Sequence, residues 1–472
     1  MSATRELAEY LADFQPGVLP ARVLEQAKLV TIDALGNAIG GLPFELAGTF
    51  CDLARSVGGG TRDATIIGSG DRISVPYAAF ANTALSTMLD YSDWEMSDSG
   101  RCPIWIGPLA VPAALAAGEA TGITGAEFLA SVAAGYECAA RILHSMDMSE
   151  ERFLEVNGET LSLFAAAGAA GRALRLSHDE LLSAISMAGI YTPVPAYYKW
   201  IGDEGLTPRK DIKQGWAWLS MTGAFAAVSA KAGLRSVQQN NILDGDRGLW
   251  RMLGMDSFDE ARLTEGLGTR FYLDDFGTKA YPGCVFTFSA VEGAVSIVRS
   301  QGLDLAQIAR IDVVTNHSNG AGFGEQHTDS PADKQFNFPH QVAAAIVIGG
   351  RGPDWYTAAA LEGAEFLSLK RKVHLSFDEE CERALREDGL WMSKVAVTMA
   401  DGVVHRARVE SVDRLTDGAS VRGKFLGTVE QVVGRERAEA LLAVIEGLDG
   451  AQSLDALVTQ LGSHQEAPCV SS

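Results

Sequence analysis

The chain has 472 residues, 47% apolar and 21% charged, with 50 glycines. This is a globular composition with material for two or three domains. Its formal net charge of -21 argues against nucleic acid or an anionic membrane as partner, because both need clustered Lys and Arg. A small anion held in a locally basic pocket stays open. Six scattered cysteines, at 51, 102, 138, 284, 381 and 469, lack metal-like spacing and read as reduced thiols. MSATRELAEYLADF is an amphipathic helix start rather than a signal peptide. No unbroken apolar run reaches the roughly 18–20 residues of a membrane span. The expectation is a soluble cytoplasmic protein.

In chain order, helical periodicity covers 5–15, 20–41 and 44–57, the second ended by Gly40-Gly41. A short strand-like piece lies at 65–70. The Ala-rich run from Ser74 predicts a helix whose end carries Asp90 and Asp93 on one face. After a break at 95–108 come further helices to 122 and over 124–146, 160–174 and 178–188. Residues 191–216 crowd prolines, aromatics and lysines into a loop, the usual place for binding residues, before helix resumes over 217–232. Residues 271–276 read as extended. The stretch FGTKAYPGC (276–284) is a tight turn feeding a helix to Gln301, a suitable anion cradle with Lys279 beside it. Strands are predicted over 308–315 and 369–374, and a helix over 338–348. A hairpin is predicted over 394–409 around Asp401-Gly402, with a type I′ turn. Helix returns over 429–447, and the tail after Gly450 reads as polar and loose.

The fold class expected from this order is mainly α: a large all-helical domain (1–268 and 407–450), an inserted smaller α+β domain (269–406) and a tail (451–472). A site would lie in the cleft between the two domains. Lys199, Lys210, Lys213 and Lys279 are the cations placed in loops or at turns. Two of them meeting in one cleft would hold a carboxylate and lower one another's pKa. Asp90 and Asp93 read either as a helix-surface pair or as a base and its partner. His340 opens an apolar helix and faces either solvent or the cleft. Cys102 and Cys284 lie near the breaks. No metal-ligand spacing and no nucleotide-binding glycine pattern is present.

Seven pieces in order resemble the MmgE/PrpD family: IDALGNAIGG (32–41), LDYSD (89–93), VPAALAAGEATG (111–122), AAGYECAAR (133–141), LTPRKDIKQGWAW (206–218), TKAYPGC (278–284) and FNFPHQVAAA (336–345). The resemblance implies a large helical domain, a smaller lid domain and a homodimer. It also implies cofactor-free chemistry on small di- or tricarboxylates, as in 2-methylcitrate dehydratase, cis-aconitate decarboxylase and iminodisuccinate epimerase. Asp90 and Asp93 match the family's acidic DYDD pair, with Ser92 replacing one acid. Lys210 matches its lysine before a GWAA-like helix, and Lys213 stands where a histidine is usual. Lys279, Tyr281 and Cys284 match K-x-YP-x-C, and His340 stands where many members have tyrosine. The histidine of an HPG motif is replaced by Trp105 or, with a gap, Cys102. Two further family histidines fall near Val156-Asn157 and at Phe288.

Three readings follow. The first is a diverged lyase or isomerase on a small carboxylate. In it Lys210 and Lys279 bind carboxylate, and Asp93, Lys213 or His340 moves the proton. Asp90, Tyr281 and Cys284 border the site, and aromatic residues Trp94, Trp105, Tyr197, Tyr198, Trp200 and Phe288 favour a bulkier, less charged substrate than citrate. The second is a standard 2-methylcitrate dehydratase or cis-aconitate decarboxylase. The third is a non-catalytic ligand-binding relative.

Overall fold

The computed structural model describes residues 2–96, 103–149, 159–193, 215–236, 241–317, 322–324 and 330–463. The longer helices are α1 (Ala3–Ala12), α2 (Ala21–Gly40), α3 (Glu45–Val57), α4 (Val75–Thr87), α5 (Gly107–Thr121), α6 (Gly125–His144), α7 (Leu163–Ala173), α8 (His178–Ile190) and α9 (Trp216–Lys231). They continue with α10 (Phe288–Gln301), α11 (Phe338–Val347), α12 (Ala364–Arg371), α13 (Glu379–Asp388), α14 (Gly418–Val433), α15 (Arg435–Glu446) and α16 (Asp455–Gly462). The chain is mainly helical with small sheets, as its pattern predicts.

The sequence LFAAAGAAGRA explains the centre of the helical part. Every residue of α7 is buried, as expected of a helix without a polar face. It packs against α5, α6 and α9. Small residues let these backbones approach closely: a Cβ at Gly223 of α9 would stand 2.3 Å from the Leu163 carbonyl oxygen. Sequence signals also set the ends. Thr124 and Glu127 form a capping box at the start of α6, and the Asn337 side chain accepts from the His340 N–H at the start of α11.

The strands of interest are β1 (Asp93–Met96), β2 (Pro103–Ile104), β3 (Gly277–Thr278), β4 (Ile308–Thr315), β5 (Val373–Phe377), β6 (Ser393–Met399) and β7 (Val404–Val409). The larger sheet has the order β7-β6-β4-β5, antiparallel except for the parallel pair β4/β5. Its register sets Val395 opposite Val313 and Val397 opposite Ile311, all buried beneath α10 and α11. The smaller sheet, β2-β1-β3, is antiparallel, with Asp93 opposite Thr278 and Trp94 opposite Gly277. Thr278 also exchanges backbone hydrogen bonds with Leu415, at 2.9 and 2.8 Å. Three distant pieces of chain therefore meet along β3. Beyond Leu415, α14 packs along α2.

Five local readings are corrected. Helix α4 stops at Thr87, so Asp90 and Asp93 do not share a helix face. Asp90 takes φ 50, a left-handed conformation that Asp tolerates better than most residues, and Asp93 begins a strand that β3 captures. The hairpin forms, but only Gly402 of its turn has positive φ (89). Its N–H donates to the Met399 carbonyl at 3.0 Å, so the turn is not type I′, which needs two such residues. Residues 272–275 form a 3-10 turn rather than an extended piece, and the predicted strand at 369–374 begins only at Val373, after α12. After Gly450 the chain forms α16, whose Leu457 and Leu461 are buried, instead of a loose polar tail throughout.

Candidate active site

The segment from Asp90 to Trp94 and the turn from Gly277 to Cys284 lie against each other. Lys279 is only 2% exposed. Its Nζ donates to the Asp90 Oδ1 at 2.7 Å, the Asp90 carbonyl at 3.0 Å and the Gly283 carbonyl at 3.0 Å. An ammonium has three protons, and each has a protein acceptor here. The backbone of the turn is spent in the same way. Lys279 N–H donates to the Ser92 carbonyl, Gly283 N–H to the Asp90 carbonyl and Cys284 N–H to the Gln335 carbonyl. Gly283 sits at φ 121, where a Cβ would meet Gln341 Oε1 at 2.9 Å. The turn therefore spends these donors inside the protein rather than offering them as an open anion cradle.

Asp93 lies within this segment, opposite Thr278, and its carboxyl is fixed. Its Oδ1 accepts the Gly107 N–H at 3.1 Å, at the first residue of α5, and its Oδ2 accepts the Tyr136 hydroxyl at 2.7 Å from α6. It is 1% exposed. Burial raises its pKa from 3.8 to about 7, and the negative charge of Asp33 adds to the rise. Tyr136, the Gly107 N–H and Lys424 oppose it.

Asp33 and Lys424 were not among the residues singled out from the sequence. Lys424 of α14 places Nζ 2.6 Å from Asp33 Oδ1 of α2. It also donates to Thr278 Oγ1 at 3.1 Å and to the Tyr91 carbonyl, and its Nζ stands 3.7 Å from the centroid of the Tyr91 ring. Asn37, one turn after Asp33, donates to both Asp33 Oδ2 and the Tyr91 carbonyl. Burial lowers Lys424 to about 8 and raises Asp33. One signal for Asp33 was available: it is a lone acid in the apolar run of α2, and a buried charge needs a partner.

His340 lies elsewhere. It is 1% exposed, and its Nε2 stands 2.8 Å from the Trp355 carbonyl. A carbonyl only accepts, so Nε2 carries the proton. Its ring stacks on Tyr356 at 6.0 Å, and the Tyr356 hydroxyl donates to the Pro282 carbonyl. The turn thus has Asp90 and Lys279 on one side and Tyr356, followed by His340, on the other. Burial lowers His340 from 6.5 to about 3, against the Trp355 carbonyl. The unfolded imidazole takes up a proton as pH falls through ~6.5 while the folded one does not. This contribution to stability is present above pH ~6.5 and is lost below it at about 1.4 kcal/mol per pH unit. His340→Asn is expected to flatten the fall in urea-unfolding free energy between pH 7 and 5; identical slopes in the two proteins would refute a neutral buried imidazole.

Trp94 packs its ring on Trp391 at 5.2 Å, with Arg414 5.2 Å from its centroid. Trp105 lies 5.5 Å from Trp216, and its Nε1 is buried with no hydrogen-bond partner among the described residues. Tyr281 donates its hydroxyl to Glu292 and stacks on Trp355, while Phe288, the first residue of α10, meets its ring edge-on at 5.5 Å. Cys284 is buried. Cys102, Lys199, Lys210, Lys213, Tyr197, Tyr198 and Trp200 lie outside the described residues. Among the described residues, no three His, Cys, Asp or Glu side chains gather to hold a metal ion. No described helix is long and apolar enough to cross a membrane.

Comparison with known proteins gives two family matches. Residues 5–260 match the MmgE/PrpD N-terminal domain and residues 281–449 the MmgE/PrpD C-terminal domain. A curated relative, the cis-aconitate decarboxylase-like protein oryM of Aspergillus oryzae, is 24% identical over 253 residues. That alignment takes in 50% of this chain and 48% of the relative, so it spans about half the length of each.

Proposed function

The chain belongs to the MmgE/PrpD family, and from that premise we propose that it is a cofactor-independent lyase or isomerase that moves a proton at a carbon next to a carboxylate of a small organic acid. Asp93 carries this reading. A carboxyl at about 7 exists in both protonation states at neutral pH, which suits a group that must take a proton and return it. It sits in a buried cluster with Asp33, Asp90, Lys279 and Lys424, and perturbed titration concentrates at functional sites. In the proposed step the Asp93 carboxylate removes the proton, and negative charge spreads onto the substrate carboxylate. Nearby cations and hydrogen-bond donors stabilise that charge. The indole N–H of Trp105, which has no acceptor among the described residues, is a donor for a substrate oxygen, and Lys210 and Lys213 are further cations proposed for the substrate carboxylate.

The test is incubation of the purified protein in D2O with a panel of small di- and tricarboxylates, followed by proton NMR. The panel includes 2-methylcitrate and cis-aconitate. At least one acid is expected to lose a proton signal next to a carboxylate or to be consumed. A panel returned wholly unchanged sinks the reading. Turnover of 2-methylcitrate or cis-aconitate would instead make the protein a standard dehydratase or decarboxylase.

A further inference from the structure

Resting on the proton-transfer reading above, we propose that Lys424 and Asp33 form the positioning pair for Asp93: together they tie α2, α14 and β3 around the 91–93 segment and fix the strand from which the Asp93 carboxyl reaches Tyr136 and Gly107. The geometry is specific to one arrangement. Lys424 Nζ is held between Asp33 Oδ1 (2.6 Å), Thr278 Oγ1 (3.1 Å) and the Tyr91 carbonyl, over the Tyr91 ring. Asn37 closes the other side, from Asp33 Oδ2 to the same Tyr91 carbonyl. Thr278 is the strand partner of Asp93 itself. Movement of the ammonium would therefore shift both backbones on which Asp93 depends.

The pair also acts through charge. The groups facing Asp93 are Asp33 on α2, Tyr136 and the Gly107 N–H on α6 and α5, and Lys424 on α14. Lys279 also acts on Lys424, beside Asp90. Asp33 raises Asp93 more strongly than Lys424 lowers it. Removal of Asp33 alone should lower the Asp93 midpoint, and removal of both charges should lower it less.

The experiment uses the full chain labelled with γ-13C aspartate, with the Asp93 signal identified by its loss in Asp93→Asn. The wild-type signal is expected to titrate near the raised value, and Asp33→Asn is expected to move the midpoint down by about one pH unit or more. Asp33→Asn with Lys424→Met should fall between the two. An unmoved midpoint in Asp33→Asn overturns the proposal; if that variant does not fold, an unmoved midpoint in the double variant does so. Lys424→Met alone strands a buried Asp33, so the double variant should recover part of the unfolding temperature lost by the single one. No recovery also counts against the pair. Deuterium exchange is read separately on the same proteins. Absence of exchange with every acid defeats the functional reading and leaves the titration result standing, whereas exchange with an unmoved midpoint defeats the positioning pair alone.

Discussion

Asp93→Asn is expected to lower substrate deuterium exchange by ~10²–10⁴-fold, the usual contribution of a positioned acid–base group. The amide oxygen can still accept the Gly107 N–H, which now meets Oδ1 at 3.1 Å, and the amide NH2 in place of Oδ2 can donate to the Tyr136 hydroxyl, now 2.7 Å away, so the fold should survive. The wild-type exchange rate should rise with pH through about 7 as the carboxylate forms, and the variant should lack that limb. The stability effect has the opposite sign. A carboxyl raised from 3.8 to about 7 favours the folded state below its unfolded value, and that contribution is lost as pH rises through the folded one. At pH 8 the Asn variant is therefore expected to be at least as stable as the wild type. Exchange retained within threefold in a folded variant would remove Asp93 from the chemistry.

Lys279→Met should destabilise the protein by ~3–5 kcal/mol, because it leaves a buried carboxylate without its cation. The lysine side chain is 2% exposed and that of Asp90 is 4%. The variant also removes the ammonium from the Asp90 and Gly283 carbonyls that share it, although the Asp90 carbonyl keeps the Gly283 N–H. Urea unfolding followed by circular dichroism is the measurement. A loss below 1 kcal/mol would mean that the pair does not hold the seam. This prediction assigns Lys279 work that its position in a turn did not imply, since its protons are already committed inside the protein.

The family's shared pieces, TKAYPGC and LDYSD, turn out to be in contact. They are 189 residues apart at the Lys279–Asp90 pair, so their order along the chain carried no information about the contact. The same applies to Lys424, which reaches Tyr91 across 333 residues and sits in a helix where local pattern gives it no distinction from a solvated lysine.

What the sequence determined by itself was whatever repeats locally. Alternation over 308–315 and across the 394–409 hairpin placed β4, β6 and β7. The Ala- and Gly-rich runs placed the close-packed helices around α7, because small side chains permit only that kind of approach. The mainly α class with a small sheet followed from those elements. Tertiary structure alone decided that Asp90 and Asp93 leave the helix. It also spent the donors of the 278–284 turn on protein carbonyls, buried His340 as a neutral ring and brought Asp33 and Lys424 beside Asp93. The physical reason is that protonation state and strand capture depend on burial and on charges from distant chain. Residue spacing records neither.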